Sequence, residues 1–274
     1  MDGLLLEPSR ASEPRRFTVE LSGIGFLVEA RFDEAFRLCR GYLSDGPAEA
    51  RIAATASDID EERARGLPGD WSDGYLETLA VYRQIAELLP AHDRMLVHGA
   101  AVAVAGRAYL FCAPSGTGKT THVRLWRERL GAAVAVVNGD KPIVHVPPAP
   151  AGGPGGGPDF GPEPEPIVFG TPWAGKEGWQ RNMSAPLAGI CFLGRAEPGA
   201  SRIRSLEPAR ALDRALRQVY LPADATAAAR TLELLDALLG RAPLFELACD
   251  MSEDAVRCSF EGLTGLDYEM FKRA

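Results

Sequence analysis

The sequence predicts a mixed α/β fold, with strands and helices in α+β rather than alternating order. Three observations lead there. Short apolar runs suited to strands and longer runs with helical spacing both occur, but not in strict βαβ succession, which argues against a simple doubly wound sheet. An apolar run at 107–112 leads through a glycine-rich turn into a helical pattern. The chain has 274 residues and 46% hydrophobic content, enough for one large domain or two small ones with a sizeable core.

Taken in order, residues 1–16 read as a loose tail. Runs 17–21 and 24–30, parted by Ser22-Gly23, predict a hairpin. Helical spacing at 33–42 and a short strand at 51–55 complete an N-terminal subregion over 17–72. The main domain is expected over 73–274. It opens with a helix at 73–89, stopped by Pro90. Strands follow at 95–104 and 107–112 around Ala105-Gly106, then a helix at 117–130 and a buried strand at 132–137. Residues 147–166 are rich in proline and glycine, which resist regular structure, so they should loop out between strands at 142–146 and 167–169 as a disordered insertion or a substrate lid. Strands at 187–193 and 202–206, helices at 208–219 and 223–239, and a strand at 244–248 come next. A last helix to about 263 is expected, capped by Asp250 with Glu253. The four tryptophans, Trp71, Trp126, Trp173 and Trp179, read as packing residues.

Composition narrows the function classes. Net charge is −7 and no basic stripe stands out, so a duplex nucleic-acid partner is not expected. The five cysteines are scattered and form no C-x-x-C pair, which speaks against a disulfide framework or zinc site and for a reducing compartment. The N-terminus lacks the order of a secretory signal, and no apolar run approaches the roughly 20 residues that span a bilayer. A soluble cytoplasmic protein without a membrane partner is the expectation.

The most chemical stretch is FCAPSGTGKTTHVRLW, residues 111–126. Residues 113–120 match the phosphate-binding pattern G-x-x-x-x-G-K-[ST] except that Ala113 replaces the first glycine. Ala113 is small, and that position mainly turns the chain. Backbone N–H groups from Ser115 through Gly116, Thr117, Gly118, Lys119, Thr120 and Thr121 would face one spot, where the helix start favours anions. Lys119 would add a charge for the β/γ-phosphates of a nucleoside triphosphate, and Thr120 a hydroxyl for Mg²⁺. The turn could equally be structural only. Asp140, after the apolar run 134–137, suits a second Mg²⁺ ligand, although Asn-Gly-Asp is also good turn chemistry. His98 lies in the apolar run MLVHGAAVAV and reads either as a core residue or as a catalyst.

Together these pieces resemble the HPr serine kinase/phosphorylase and phosphoenolpyruvate carboxykinase superfamily, in particular its small stand-alone bacterial kinase-like members. The likeness rests on LVHGAAV (96–102), APSGTGKTTHVRLW (113–126), NGDKPIV (138–144), FGTPWAGKE (169–177) and APLAGICFL (185–193), after a helix like GYLETLAVYRQIAELL (74–89). It implies a carboxykinase-like P-loop fold with bent mixed β-sheets. It also implies ATP or another NTP with Mg²⁺ held by Thr120 and Asp140, and His98 near metal and substrate. Lys176 would face the transferred phosphoryl, where a cation stabilises spread negative charge. Trp173 and Trp179 flank Lys176 and could line the acceptor cleft. One departure matters: Gly139 stands where the kinases carry a first aspartate that acts as base. Asp140 or His98 would then take the proton.

Three functions follow from the resemblance. The first is an ATP-dependent kinase acting on a hydroxyl, either a serine of a peptide or protein or a small molecule. The second is a non-catalytic nucleotide-binding scaffold or regulator, suggested by Gly139. The third is carboxykinase chemistry on a small carboxylate, disfavoured by the chain's length and the lack of a recognisable oxaloacetate-binding arginine set. A homo-oligomer stays open.

Overall fold

The structure is a computed structural model that describes residues 14–66, 69–149 and 164–272. Most of the expected tail and of the Pro/Gly insertion lies outside the described residues. The chain divides into a unit up to Ile85 and a unit from Ala86.

In the first unit, β1 (Arg15–Leu21) and β2 (Ile24–Ala30) form the expected hairpin, and β3 (Ala50–Ala53) joins β2 in parallel. Ser22 and Gly23 both take positive φ, the two-residue turn that matches strand twist. The strand starts at Arg15, inside the expected tail, because Arg15 and Arg16 pair with Ala30 and Glu29, and Arg16 also reaches the Glu29 carboxylate at 2.8 Å. Helices are α1 (Asp33–Cys39), α2 (Ala56–Arg65) and α3 (Asp73–Leu88). Helix α2 was not expected, since it is polar nearly all round and buries only Ile59 and Glu62. Its one sequence signal is the reciprocal cap between Thr55 and Asp58.

Most of α3 belongs to this first unit, so the division falls after Ile85 and not at 72/73. The buried Glu77 accepts the N–H groups of Arg31 at 2.7 Å and Phe32 at 3.0 Å, and Gln84 accepts the N–H of Ala53. Trp71 is exposed and stacks on Tyr75, so it is not a core residue.

The second unit is built on a nine-stranded mixed sheet. Its strands are β4 (Arg94–Leu96), β5 (Gly99–Val104), β6 (Arg107–Cys112), β7 (Ala135–Asn138), β8 (Ile143–His145), β9 (Ile167–Phe169), β10 (Ser184–Arg195), β11 (Arg202–Ser205) and β12 (Leu244–Cys249). The order runs β4-β8-β9-β10-β6-β5-β7, with β12 on β10 and β11 beyond it. The long β10 makes this possible. Its start pairs antiparallel with β9, and the rest pairs parallel with β6 and β12.

This order cannot lie flat. β4 and β5 stand five places apart, about 24 Å at ordinary strand spacing. Yet Leu96 and Gly99 are three residues apart, a reach of at most about 11 Å. The sheet therefore bends back so that β4 and β5 meet at a seam, and Val97 and His98 occupy that seam. The expected single strand at 95–104 is thus two strands serving opposite ends of one path.

Both faces of the central strands are covered, which is why β5 and β6 read as continuous apolar runs. Ala101, Ala103 and Leu110 face α5 (Pro208–Leu216) and α6 (Ala225–Arg241). Val102, Val104 and Phe111 face α4 (Lys119–Leu130) and α7 (Glu253–Thr264), with Trp126 and Phe260 fully buried between. The chain ends its described part in α8 (Tyr268–Phe271). Ser252, not Asp250, caps α7 by accepting the Ala255 N–H. Asp250 instead accepts from Gly199 N and from Ser252 N and Oγ, so it ties the loop after β10 to the helix entry. Among the described residues, no helix is long and apolar enough to cross a membrane.

Gly170, just after β9, shows how close these strands run. A Cβ there would lie 2.0 Å from the Arg181 carbonyl oxygen and 2.6 Å from that of Val137, both backbone atoms. Gly170→Ala should lower unfolding free energy by about 1–3 kcal/mol, read from urea denaturation midpoints. An unchanged midpoint would refute this packing.

Candidate functional site

Strand β6 runs into Ala113, the chain turns through 113–118, and α4 begins at Lys119. The helix thus starts two residues later than the sequence spacing suggested. Thr117 N–H bonds to Pro114 O at 3.2 Å and closes the turn. Gly116 and Gly118 take φ of 77° and 119°, and Gly118 is the N-cap without any capping side chain. The first-turn N–H groups of α4 therefore lack a side-chain acceptor of their own, a feature suited to an external anion.

Three side chains meet beside this turn. Lys119 is 8% exposed; its Nζ donates to Ala113 O at 2.6 Å and lies 3.3 Å from His98 Nε2. The same His98 Nε2 lies 3.4 Å from Asp140 Oδ1, and Lys141 Nζ is 3.4 Å from Asp140 Oδ2. Burial pushes the Lys119 pKa down, against the opposing pull of Cys112 and Asp140. For Asp140, burial raises the pKa, but the His98 hydrogen bond and the Lys141 charge together outweigh it and hold the carboxyl below its ordinary value. One nitrogen faces both neighbours. With its proton, His98 Nε2 donates to Asp140; without it, it accepts from Lys119.

The seam explains how residues so far apart in sequence converge. Val97 N–H bonds to Pro142 O, and Gly99 N–H to Asp140 O, so the segment 97–99 runs along 140–142. Asn138, fully buried, then fixes the turn. Its Oδ1 accepts from Asp140 N and Lys141 N, and its Nδ2 donates to the carbonyls of Thr171 and Trp173. The Asn-Gly-Asp run is therefore both a turn and the holder of a site carboxylate. Sequence reading treated these as alternatives.

A cavity of about 290 Å³ is lined by His98, Ser115, Gly116, Gly118, Lys119, Thr120, Thr121, Gly139 and Asp140. It gathers most of the expected site residues. Thr117 lies on the other side of the turn, in a second cavity of about 720 Å³ that shares Gly116, Gly118 and Thr121. Lys176 is exposed in a turn and lines neither cavity, although Gly175 beside it packs against Asp140. Trp173 is buried, and Trp179 faces a different groove. Sequence reading missed Arg195, which extends from the end of β10 and donates to Gly116 O at 2.7 Å. No motif marks it, because it reaches the turn only through strand pairing.

Gly139 lines the cavity, and a side chain there would be tightly fitted. A Cβ there would stand 3.1 Å from Ala174 O and 3.4 Å from Trp179 O, and its N–H donates to Trp179 O at 2.8 Å. Among the described residues, no group of three or more His, Cys, Asp or Glu side chains forms a metal cluster. Cys112, under the turn, is fully buried and its thiol is pushed up to about 12 by burial, so it is no nucleophile.

His122 lies under the first turn of α4. Its Nε2 is 3.0 Å from Ser259 Oγ, which also accepts from Trp126 Nε1, and the Phe111 ring packs against it edge-on. Burial pushes the His122 pKa down to about 4. The unfolded chain takes up this proton near pH 6.5, whereas the fold does not until about pH 4. The stabilisation is therefore complete above pH 6.5 and lost as pH falls to about 4, roughly 3 kcal/mol in all. His122→Phe should flatten that part of the stability profile, measured by urea denaturation between pH 7 and 4.5. Equal slopes in wild type and variant would refute it.

No protein-family model matches the chain, and no curated protein matches it either.

Proposed function

We propose that the second unit is a P-loop phosphotransferase of the carboxykinase-like and HPr kinase-like type. It binds ATP or another nucleoside triphosphate at Ser115–Thr121 and transfers the γ-phosphoryl to a hydroxyl of a peptide, protein or small molecule. One observation carries this reading: His98, Lys119 and Asp140 converge on the cavity that the glycine turn and the start of α4 also line. A bent mixed sheet with the turn between β6 and α4 is consistent with the fold that the sequence resemblance implies.

Residues of this chain divide the work. Backbone N–H groups of Gly116 and of residues 118–121, with the Lys119 ammonium, hold phosphate oxygens. Arg195 fixes the Gly116 carbonyl and so the shape of the turn. The larger cavity behind the turn, shared through Gly116 and Thr121, accommodates the nucleoside. The Thr120 hydroxyl and the Asp140 carboxylate line one cavity and are hard oxygen donors. Mg²⁺ typically takes one or two such protein ligands plus substrate phosphates, so the set fits without a larger cluster. When bound, that ion neutralises charge on the β- and γ-phosphates.

In the transfer, the acceptor oxygen forms its bond to the γ-phosphorus while the bond to the bridging oxygen breaks, which leaves ADP. With Lys119 turned to the phosphate oxygens, the His98 Nε2 lone pair takes the hydroxyl proton, and the resulting imidazolium donates to Asp140 Oδ1. His98 takes this role because Gly139 supplies no carboxylate and His98 Nε2 already faces Asp140. The lack of a carboxylate at Gly139 equally favours the rival reading, a nucleotide-binding module without turnover. The test is phosphoryl transfer from labelled MgATP to serine-bearing peptides and small hydroxyl compounds. Labelled product supports the kinase reading. ATP binding with no product from any acceptor supports the module, and no ATP binding overturns both.

A further inference from the structure

Among the described residues, β7 ends the strand order and its outer edge has no full partner strand. At its far end that edge is closed by the Asn138–Gln180 bridge and by Arg181 N–H bonding to Val137 O at 3.1 Å. Along Ala135 and Val136, the described residues place no backbone partner on the outer side. Val136 of this stretch, with Val134 before it, lines a groove of about 1330 Å³. Trp179 and Met270, the latter 81% exposed, give it apolar surface, while Leu130, Val134 and Val136 lie buried beneath.

The groove's charge is the reverse of the chain's. Arg124, Arg127 and Arg181 line it, against Glu128 alone, in a protein of net charge −7. Arg127 lies 4.5 Å over the Trp179 ring, and Arg124 is held at 3.3 Å by Glu177 outside the lining. An unpaired strand edge takes an extended chain by backbone hydrogen bonds, and the flanking side chains select its sequence. Arg127 and Arg181, with Arg124 partly answered by Glu177, select acidic residues, and Trp179 and Met270 take apolar ones between them. The groove also adjoins the cavity described above: Trp179 lines the groove, while its carbonyl accepts the N–H of Gly139, which lines the cavity.

We propose that this groove binds an extended acidic segment of an acceptor protein as an added strand on β7. Binding stands on the groove itself; the role as acceptor dock rests on the phosphotransferase reading.

The experiment uses a fluorescein-labelled peptide of alternating glutamate and valine around one serine, followed by fluorescence anisotropy without nucleotide. Binding is expected, weakening as salt rises. The double charge reversal Arg127→Glu/Arg181→Glu, at two exposed positions, should weaken it at least about tenfold. A lysine-for-glutamate peptide should not bind. N-methylation of alternate amides should abolish binding on one face of the peptide and spare it on the other. Equal affinity for the charge-reversed protein, no binding of the acidic peptide, or stronger binding of a single-stranded oligonucleotide would each overturn the proposal. Because nucleotide is absent, peptide binding survives even if no phosphoryl transfer is ever found.

Discussion

Lys119→Met should lower kcat/KM for phosphoryl transfer about 10²–10³-fold and weaken nucleotide binding, while the protein stays folded. Methionine keeps most of the length and the apolar stem of the side chain and removes the charge with its N–H donors. The native ammonium is nearly enclosed, donates to Ala113 O, and faces the cavity beside His98. A charge in such an enclosed site acts more strongly on phosphate oxygens than one in water. Leaving Ala113 O without its donor should cost about 1 kcal/mol of stability, too little to unfold the unit. Calorimetric titration with MgATP and a coupled ADP assay read the two effects separately. Unchanged turnover would mean that the cavity is not where the phosphoryl group sits.

His98→Asn should reduce kcat about 10²–10⁴-fold with little change in nucleotide affinity. Asparagine retains a polar group against Lys119 and Asp140 but cannot hold a proton. If Asp140 alone took the proton, His98→Asn would keep most of the rate and Asp140→Asn would abolish it. Comparing the rates of the two variants decides which group is the base.

Much of this site was legible in local sequence. The strand at 107–112, the glycines at 116 and 118 and the lysine that starts α4 are all short-range features. Backbone sterics and helix-start chemistry act over a few residues, so the pattern implies the turn directly. The β5–β6 hairpin and the helices α4, α6 and α7 were readable for the same reason. The polar α2 was not, because its burial is confined to Ile59 and Glu62, too few positions to make a stripe.

The convergence of the site came from elsewhere. His98 could be a core residue or a catalyst, and Asp140 a turn residue or a ligand, as far as neighbours in sequence were concerned. What settles their placement is the closure of the sheet, which brings β4 and β5 together at the seam and lays 97–99 along 140–142. Arg195 reaches Gly116 only because β10 is parallel to β6, and Lys176 stays outside because its turn packs through Gly175 instead. Local turn geometry follows from contacts within a few residues, so the chain carried it openly. The meeting of His98, Lys119 and Asp140 depends on pairings between distant strands, whose register no stretch of sequence states by itself.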